Sequence, residues 1–301
     1  MIRSSINTFI LFLLVLTTIQ AQEINKKNGK VGGKSYSYHV MQPPQSVKGI
    51  VLLMPSRGEE PRKLFWHTSI PNKLAGAGFI TIVPKVDYAL VLEEKTKEIL
   101  NKIVADESAK AKLSASGLFI GGFSSGGAIA AHYAEYLISE KGDASVNGVF
   151  LIDPPLDLER LYNAWTGLIN SSCPDIIISE AKFIKAYSEK VTGGTPKEKT
   201  ANYQRLSAFA ASDSAGGNAR FLKNVPIRLY TEPDLESMQK KYCGDLSYQN
   251  LNSSDLDALD RCLRKLGNTN VEYKRTNGRG LHSWNIADPD DLVRWVERVR
   301  R

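Results

Sequence analysis

Short apolar runs alternate with amphipathic segments along most of the chain. Continuous apolar runs are typical of strands buried on both faces, whereas apolar positions three or four residues apart are typical of helices. The alternation predicts an α/β fold, a mostly parallel sheet with helices on both faces. The predicted strands are 35–41 at an edge, Gly49–Met54, 79–83, the run from Leu118, 146–152, 225–230 and Val271–Arg275, and the main predicted helices are 64–77, 88–109, 256–266 and one capped by Asp288.

The rhythm of strands and helices is interrupted once. Between 156 and 224 no strand pattern occurs, and three segments have helical spacing, at 156–169, 175–191 and 198–211. This stretch lies between two predicted strands. We therefore expect one α/β domain over 22–301 with a helical cap insertion at about 156–224.

The first 21 residues differ from the rest. Arg3 precedes an apolar run, and Ala21 offers a small residue before a plausible cleavage point, which is typical of a secretory signal peptide. A buried helix or a membrane anchor is the alternative. A signal predicts a secreted or periplasmic protein with no stable membrane insertion after cleavage. The net charge of +7 comes from scattered Lys and Arg, so we expect no nucleic-acid partner, and the sequence leaves the oligomeric state open.

Three cysteines are too few for a disulfide framework, but an exported protein could form one bridge. Cys243 and Cys262 are the pair nearest in sequence. Spacing alone does not establish that they bond.

The sharpest motif is Gly122-x-Ser124-x-Gly126, which follows an apolar run and precedes small residues with good helix propensity. A strand, a glycine-flanked turn and a helix in this order are typical of a nucleophile elbow. The turn would expose Ser124 at a helix N-terminus, where backbone N–H groups favour developing negative charge. The alternative is a tight turn in which the serine only caps the helix.

A serine nucleophile needs a base, which is usually a histidine oriented by a carboxylate. The chain has four histidines. His39 and His67 precede the elbow, and His132 is eight residues past Ser124 on the following helix. His282 lies after the last strand and before the last helix, where the base belongs, although a surface histidine without a role is the alternative.

The acid is expected after the strand at 225–230. Asp234 has the offset that should reach the histidine, Glu232 is the fallback, and Asp153 at the end of the preceding strand is a further candidate. Asp234 could instead cap the helix that follows.

An acyl-transfer site also needs donors for an oxyanion. We expect the backbone N–H of Ser125 and one from Ser56 or Arg57, in the loop after the second buried strand. The Arg57 side chain could bind a substrate carboxylate or be solvated. Tyr162 and Trp165 could shape the substrate pocket, although core packing is the more common role. The sequence has no cluster with metal-ligand spacing and no phosphate-binding fingerprint, so we expect no metal and no cofactor.

From about residue 35 onward the chain resembles the α/β-hydrolase superfamily, on the elbow motif, the Leu281-His282-Ser283-Trp284 loop and the order of strands, cap, acid and histidine. The resemblance, which is greatest to exported bacterial esterases and peptidases, implies Ser124 as nucleophile, His282 as base and Asp234 as acid. It implies a serine hydrolase that cleaves a small-molecule or polymer-linked ester. The chain departs from the family in lacking a His-Gly-Gly oxyanion run and in having Thr-Glu-Pro-Asp at the acid turn. A peptidase or amidase, and a catalytically silent binding protein of the same fold, are the alternatives.

Overall fold

A computed structural model describes residues 23–85, 90–113 and 117–300. The predicted signal peptide lies outside the described residues. Within this part of the chain eight strands are numbered β1 to β8, with the bounds Ile24–Val31, Lys34–Met41, Gly49–Met54, Phe79–Lys85, Leu118–Phe123, Gly148–Ile152, Ile227–Thr231 and Val271–Arg275. They form one sheet in the order β1-β2-β4-β3-β5-β6-β7-β8. The strands β3 to β8 are parallel, whereas β1 pairs antiparallel with β2 and β2 pairs antiparallel with β4.

Successive side chains of each central strand enter two different cores. In β3, Ile50 and Leu52 belong to one hydrophobic cluster, and Val51 belongs to the other. The helices Glu94–Ala111, Ser125–Lys141 and Ser253–Lys265 cover the first face, and Pro61–His67, Ile70–Gly76 and Pro289–Val299 cover the second. Because both faces are covered, β3 is buried along its whole length, which is why it is apolar without alternation. The predicted α/β fold is confirmed.

The ten α-helices of the described chain, numbered α1 to α10, are Pro61–His67, Ile70–Gly76, Glu94–Ala111, Ser125–Lys141, Leu158–Thr166, Asp175–Thr192, Thr200–Leu206, Leu235–Lys241, Ser253–Lys265 and Pro289–Val299. Short 3-10 helices occur at Asp143–Ser145, Gly217–Asn224, Tyr248–Asn250 and Trp284–Ile286. Asp288 caps α10 by accepting the N–H of Asp291, as the sequence predicted. No helix in the described part of the chain is long and apolar enough to cross a bilayer.

Two sequence predictions about the first third of the chain are wrong. The predicted single helix over 64–77 is two helices, separated at the extended residue Thr68. Pro71 explains the break, because its ring would collide with the carbonyl four residues earlier in a continuous helix. The strand β2 is not at the edge of the sheet, because β1 pairs outside it. The Lys- and Asn-rich β1 lacks an apolar pattern, which is common in edge strands.

The segments after β6 and β7 are helical and lie over the carboxyl ends of the parallel strands. The stretch from β6 to β7 contains α5, α6, α7 and the 3-10 helix Gly217–Asn224, and no strand is described within it. The stretch from β7 to β8 contains α8, the 3-10 helix Tyr248–Asn250 and α9. Both segments contribute walls to a cavity at the elbow.

A disulfide connects these two segments. Cys173, just before α6, bonds to Cys243, just after α8, with a Cα–Cα distance of 5.2 Å. The Cys243–Cys262 pairing considered from the sequence is wrong. Cys262 is a free thiol on α9, where it packs against the first core cluster. Asp245 lies beside the disulfide, but sulfurs bonded to each other are not available as thiolate metal ligands.

Candidate active site

Ser124 lies at the sharp turn between β5 and α4. Its backbone has φ 52° and ψ −130°, a conformation that non-glycine residues rarely adopt. The N–H of Ser124 donates to the carbonyl of Ile152 at 2.9 Å, and its own carbonyl accepts from Gly127 at 2.9 Å. These bonds hold the strained turn that presents the side chain at the end of the sheet.

The two glycines of the motif are required by close backbone approach. A Cβ at Gly122 would lie 2.6 Å from the backbone of Gly126, where the strand and helix meet. A Cβ at Gly126 would lie 2.2 Å from the carbonyl oxygen of Pro55. Helix α4 therefore begins in direct contact with the loop that follows β3, and neither glycine tolerates a side chain.

His282 bridges Ser124 and a carboxylate. Its Nε2 lies 3.0 Å from Ser124 Oγ, and its Nδ1 lies 2.6 Å from Asp153 Oδ2. The ring also packs on Phe123, with 4.7 Å between centroids. The other three histidines lie elsewhere: His39 in β2, His67 beside Glu59, and His132 beside Asn218.

Asp153 is buried and held on every side. It immediately follows β6, has φ 47°, and donates its N–H to the carbonyl of Tyr230 at 2.9 Å. The hydroxyl of Thr231 donates to Oδ1 at 2.5 Å, which leaves Oδ2 for the histidine. Asn252 donates to the Asp153 carbonyl oxygen at 3.0 Å. Only 5 % of Asp153 is exposed, so the Thr231 hydroxyl and the His282 ring replace water at its carboxylate.

The expectation that Asp234 contacts His282 is corrected by this geometry. Asp234 accepts the N–H of Ser237 at 2.9 Å and caps α8, and this hydrogen bond lowers the pKa of its carboxyl. The physical reason is the strand order. Strand β6 lies next to β5, so its first loop residue is adjacent to the elbow, whereas β7 is one strand further away.

Glu232, the fallback acid, shapes the histidine loop instead. It accepts backbone N–H groups from Arg279 at 2.7 Å and Leu281 at 2.9 Å, and the hydroxyl of Thr276 at 3.1 Å. Burial raises the pKa of Glu232, but these hydrogen bonds more than offset it and the net shift is downward. The ionised carboxylate therefore stabilises a loop in which Leu281 has φ 60°.

Glu59 connects the histidine loop to the loop after β3. Trp284 Nε1 donates to its carboxylate at 3.1 Å, and the N–H of Ser56 donates to it at 3.0 Å. His67 Nδ1 lies 2.7 Å from the same carboxylate. Sequence reasoning missed Glu59 and the role of Glu232, because hydrogen bonds to loop N–H groups leave no sequence pattern.

The residues expected at the oxyanion position do lie together, but two of the expected donors already have acceptors. The N–H of Ser56 donates to Glu59, and the N–H of Arg57 donates to Ser125 Oγ at 2.7 Å. The N–H of Ser125 belongs to the first turn of α4, where N–H groups lack acceptors within the helix. Ser56, Arg57 and Ser125 all line the cavity beside Ser124.

The Arg57 side chain is paired with a carboxylate of the protein itself. Its guanidinium lies 3.2 Å from both carboxylate oxygens of Glu180 and 4.0 Å from the centroid of the Phe183 ring. Both partners are on α6. The ion pair is about 40 % exposed, so it connects the helical segment to the loop after β3 more than it adds stability.

A cavity of about 370 Å³ opens beside Ser124 and His282. Trp165 lines it, whereas Tyr162 is buried, donates to Glu189 at 2.6 Å and packs on Tyr203. The walls of the cavity are mainly apolar and come from the helical segments on both sides of β7. They include Leu161, Trp165, Ile177, Phe183, Met238 and Tyr242. The contribution of α8 was not expected from the sequence.

No family model and no curated protein matches the sequence. Solved structures do match. Carboxyl esterase 2 from the fungus Tuber melanosporum is 12 % identical, with a TM-score of 0.62 over 97 % of this chain and 90 % of that one. A fungal esterase from Rhizomucor miehei is 13 % identical (TM-score 0.60; 93 % and 85 %), and an esterase from the archaeon Pyrobaculum calidifontis is 14 % identical (TM-score 0.58; 92 % and 83 %). The chain therefore shares the α/β-hydrolase fold of these esterases.

Proposed function

We propose that the protein is a serine hydrolase that cleaves carboxylic esters through an acyl-enzyme on Ser124. The observation that supports this best is the hydrogen-bonded series Ser124 Oγ, His282 Nε2, His282 Nδ1 and Asp153 Oδ2, with distances of 3.0 and 2.6 Å. Nucleophile, base and orienting acid are thus in contact at the floor of a cavity. Asp153 takes the role that the sequence assigned first to Asp234.

The reaction follows from these contacts. Ser124 Oγ attacks the ester carbonyl while its proton passes to His282 Nε2. Asp153 stabilises the imidazolium and keeps the remaining ring proton on Nδ1. The tetrahedral intermediate expels the alcohol, which takes the proton from Nε2. Water then attacks the acyl-enzyme, gives its proton to His282 and releases the carboxylic acid, and the proton returns to Ser124.

The cavity supports a neutral, largely apolar substrate. A volume of about 370 Å³ suits one small molecule or the end of a polymer-linked ester. Among the residues that the structure describes, Arg57 is the one Lys or Arg that lines the cavity, and it is already paired with Glu180. A substrate carboxylate would have to replace that pair, so uncharged acyl and alcohol groups are favoured.

We also propose that the protein acts outside the cytoplasm. The 1–21 segment has the features of a secretory signal, and the Cys173–Cys243 disulfide is of a kind that persists in oxidising compartments. Secretion or a periplasmic location would account for both the 1–21 segment and the disulfide.

The test is Ser124→Ala in the purified mature protein, assayed with short p-nitrophenyl esters and with a fluorophosphonate probe. The wild type should hydrolyse the esters and be labelled, and Ser124→Ala should do neither. Ser139→Ala is the matched control, because Ser139 is an exposed serine on the same helix. Undiminished hydrolysis by Ser124→Ala would refute the nucleophile. An unlabelled, inactive wild type would indicate a silent binding protein, and turnover of amides in preference to esters would indicate a peptidase or amidase.

A further inference from the structure

The hydroxyl of Ser125 is an unusual feature next to the nucleophile. Ser125 is the first residue of α4, is only 5 % exposed, and lines the cavity beside Ser124. Its Oγ accepts the N–H of Arg57 at 2.7 Å. A serine hydroxyl has one proton to donate, and no acceptor for that proton is found among the residues that the structure describes.

The neighbouring loop has few donors to offer. A tetrahedral intermediate places negative charge on the former carbonyl oxygen, and this charge is normally bound by two or more donors. The N–H of Ser56 is held by Glu59, and the N–H of Arg57 is held by Ser125. The two backbone groups in the expected position for the second donor are therefore already committed.

We propose that Ser125 supplies two donors to the oxyanion, its backbone N–H and its side-chain hydroxyl. The Arg57 N–H then acts indirectly, because donating to Oγ fixes the hydroxyl and polarises its O–H bond. No proton leaves Ser125 in this role. The proton of Ser124 passes to His282, and Ser125 only shares its hydrogens with the charged oxygen. This inference rests on the proposed serine hydrolase function.

The surroundings of Ser125 hold it rigidly. The next residue, Gly126, approaches the Pro55 carbonyl so closely that a Cβ would lie 2.2 Å from it. The start of α4 and the loop after β3 are therefore in close contact next to the Arg57 hydrogen bond. A donor that is already oriented needs no reorganisation as the charge develops, which is how such groups accelerate a reaction.

The test compares Ser125→Ala, Ser125→Thr and the control Ser139→Ala. Loss of one oxyanion donor lowers kcat by ~10²–10³-fold in enzymes of this kind, and we expect that loss for Ser125→Ala with KM nearly unchanged. Ser125→Thr keeps a hydroxyl and should recover much of kcat. A trifluoromethyl ketone, which forms a tetrahedral adduct, should lose affinity in Ser125→Ala in parallel with kcat/KM.

A purely structural role makes the opposite prediction. If the Ser125 hydroxyl only occupies the Arg57 N–H, Ser125→Ala frees that N–H to bind the oxyanion itself. Unchanged or higher kcat in Ser125→Ala would therefore overturn the proposal, as would a rise in KM without loss of kcat. In both cases the wild type would still react at Ser124. Ester turnover that survives Ser124→Ala, or a wild type that neither reacts nor is labelled, would instead show that the proposed function is wrong.

Discussion

Asp153→Asn should nearly abolish turnover while leaving the fold intact. In the native site the Thr231 hydroxyl donates to Oδ1, and His282 Nδ1 donates to Oδ2. An asparagine that keeps its oxygen toward Thr231 turns its –NH₂ toward His282. Nδ1 must then accept, so the ring proton moves to Nε2, and Nε2 can no longer take the proton of Ser124.

The magnitude follows from the tautomer. The equivalent change in a Ser-His-Asp arrangement lowers kcat by ~10⁴-fold, which corresponds to ~5.5 kcal/mol of transition-state stabilisation. At 2.6 Å, and with Asp153 only 5 % exposed, the native contact is a short, charge-assisted hydrogen bond that solvent does not replace. Asp153 is not a large core side chain, so we expect the loss in kcat rather than in folding.

The assay is kcat and KM for p-nitrophenyl butyrate, with circular dichroism as the check on folding. Asp234→Asn is the matched control, because asparagine caps a helix about as well as aspartate. It should keep wild-type kcat. The reasoning would be refuted if Asp234→Asn lost activity while Asp153→Asn retained it, since the acid would then be the residue at the α8 cap.

Two further predictions concern stability. The Cys173–Cys243 bridge closes a loop of about 70 residues. The double variant Cys173→Ser/Cys243→Ser should therefore lower the free energy of unfolding in guanidinium by about 4 kcal/mol, whereas the control Cys262→Ser should not. A double variant as stable as the wild type would contradict this. Burial raises the pKa of Glu135 well above 4.5, so the native state keeps a proton that the unfolded chain releases, and stability falls as pH rises above that value. Glu135→Gln removes this dependence. The free energy of unfolding of this variant in urea, relative to that of the wild type, should therefore increase from pH 5 to 8 by up to ~1.4 kcal/mol per pH unit. The exposed Glu140→Gln is the control, and parallel pH profiles of wild type and Glu135→Gln would refute the argument.

The apolar runs, the glycine-flanked serine and the last loop were sufficient to predict the sheet, the elbow and the contact of Ser124 with His282. These features are local. A strand buried on both faces must be apolar throughout, which gives a continuous apolar run in the sequence. Position 126 must be glycine because a side chain there would collide with Pro55, which gives the glycine of the motif. The order of the elements along the chain then indicated His282, which follows the last strand, as the histidine that contacts Ser124.

The partner of His282 was decided by tertiary structure. Asp153 and Asp234 both follow strands of the same sheet, and the sequence favoured Asp234. Because β6 lies between β5 and β7, the residue that directly follows β6 meets the histidine, and Asp234 caps α8. Sequence spacing does not encode this adjacency.

The packing of separate elements also explains the other differences between the sequence predictions and the structure. The bond of Cys173 to Cys243 spans two helical segments that meet only over the sheet, and the lysine-rich β1 is a strand only because β2 offers it hydrogen bonds. The Arg57 N–H is occupied because the loop after β3 touches the start of α4. The sequence by itself indicated most of the strands and helices and the serine at the elbow. Tertiary structure alone decided which carboxylate meets His282 and which donors around the serine are already occupied, because contacts between separate elements depend on their packing and not on their spacing along the chain.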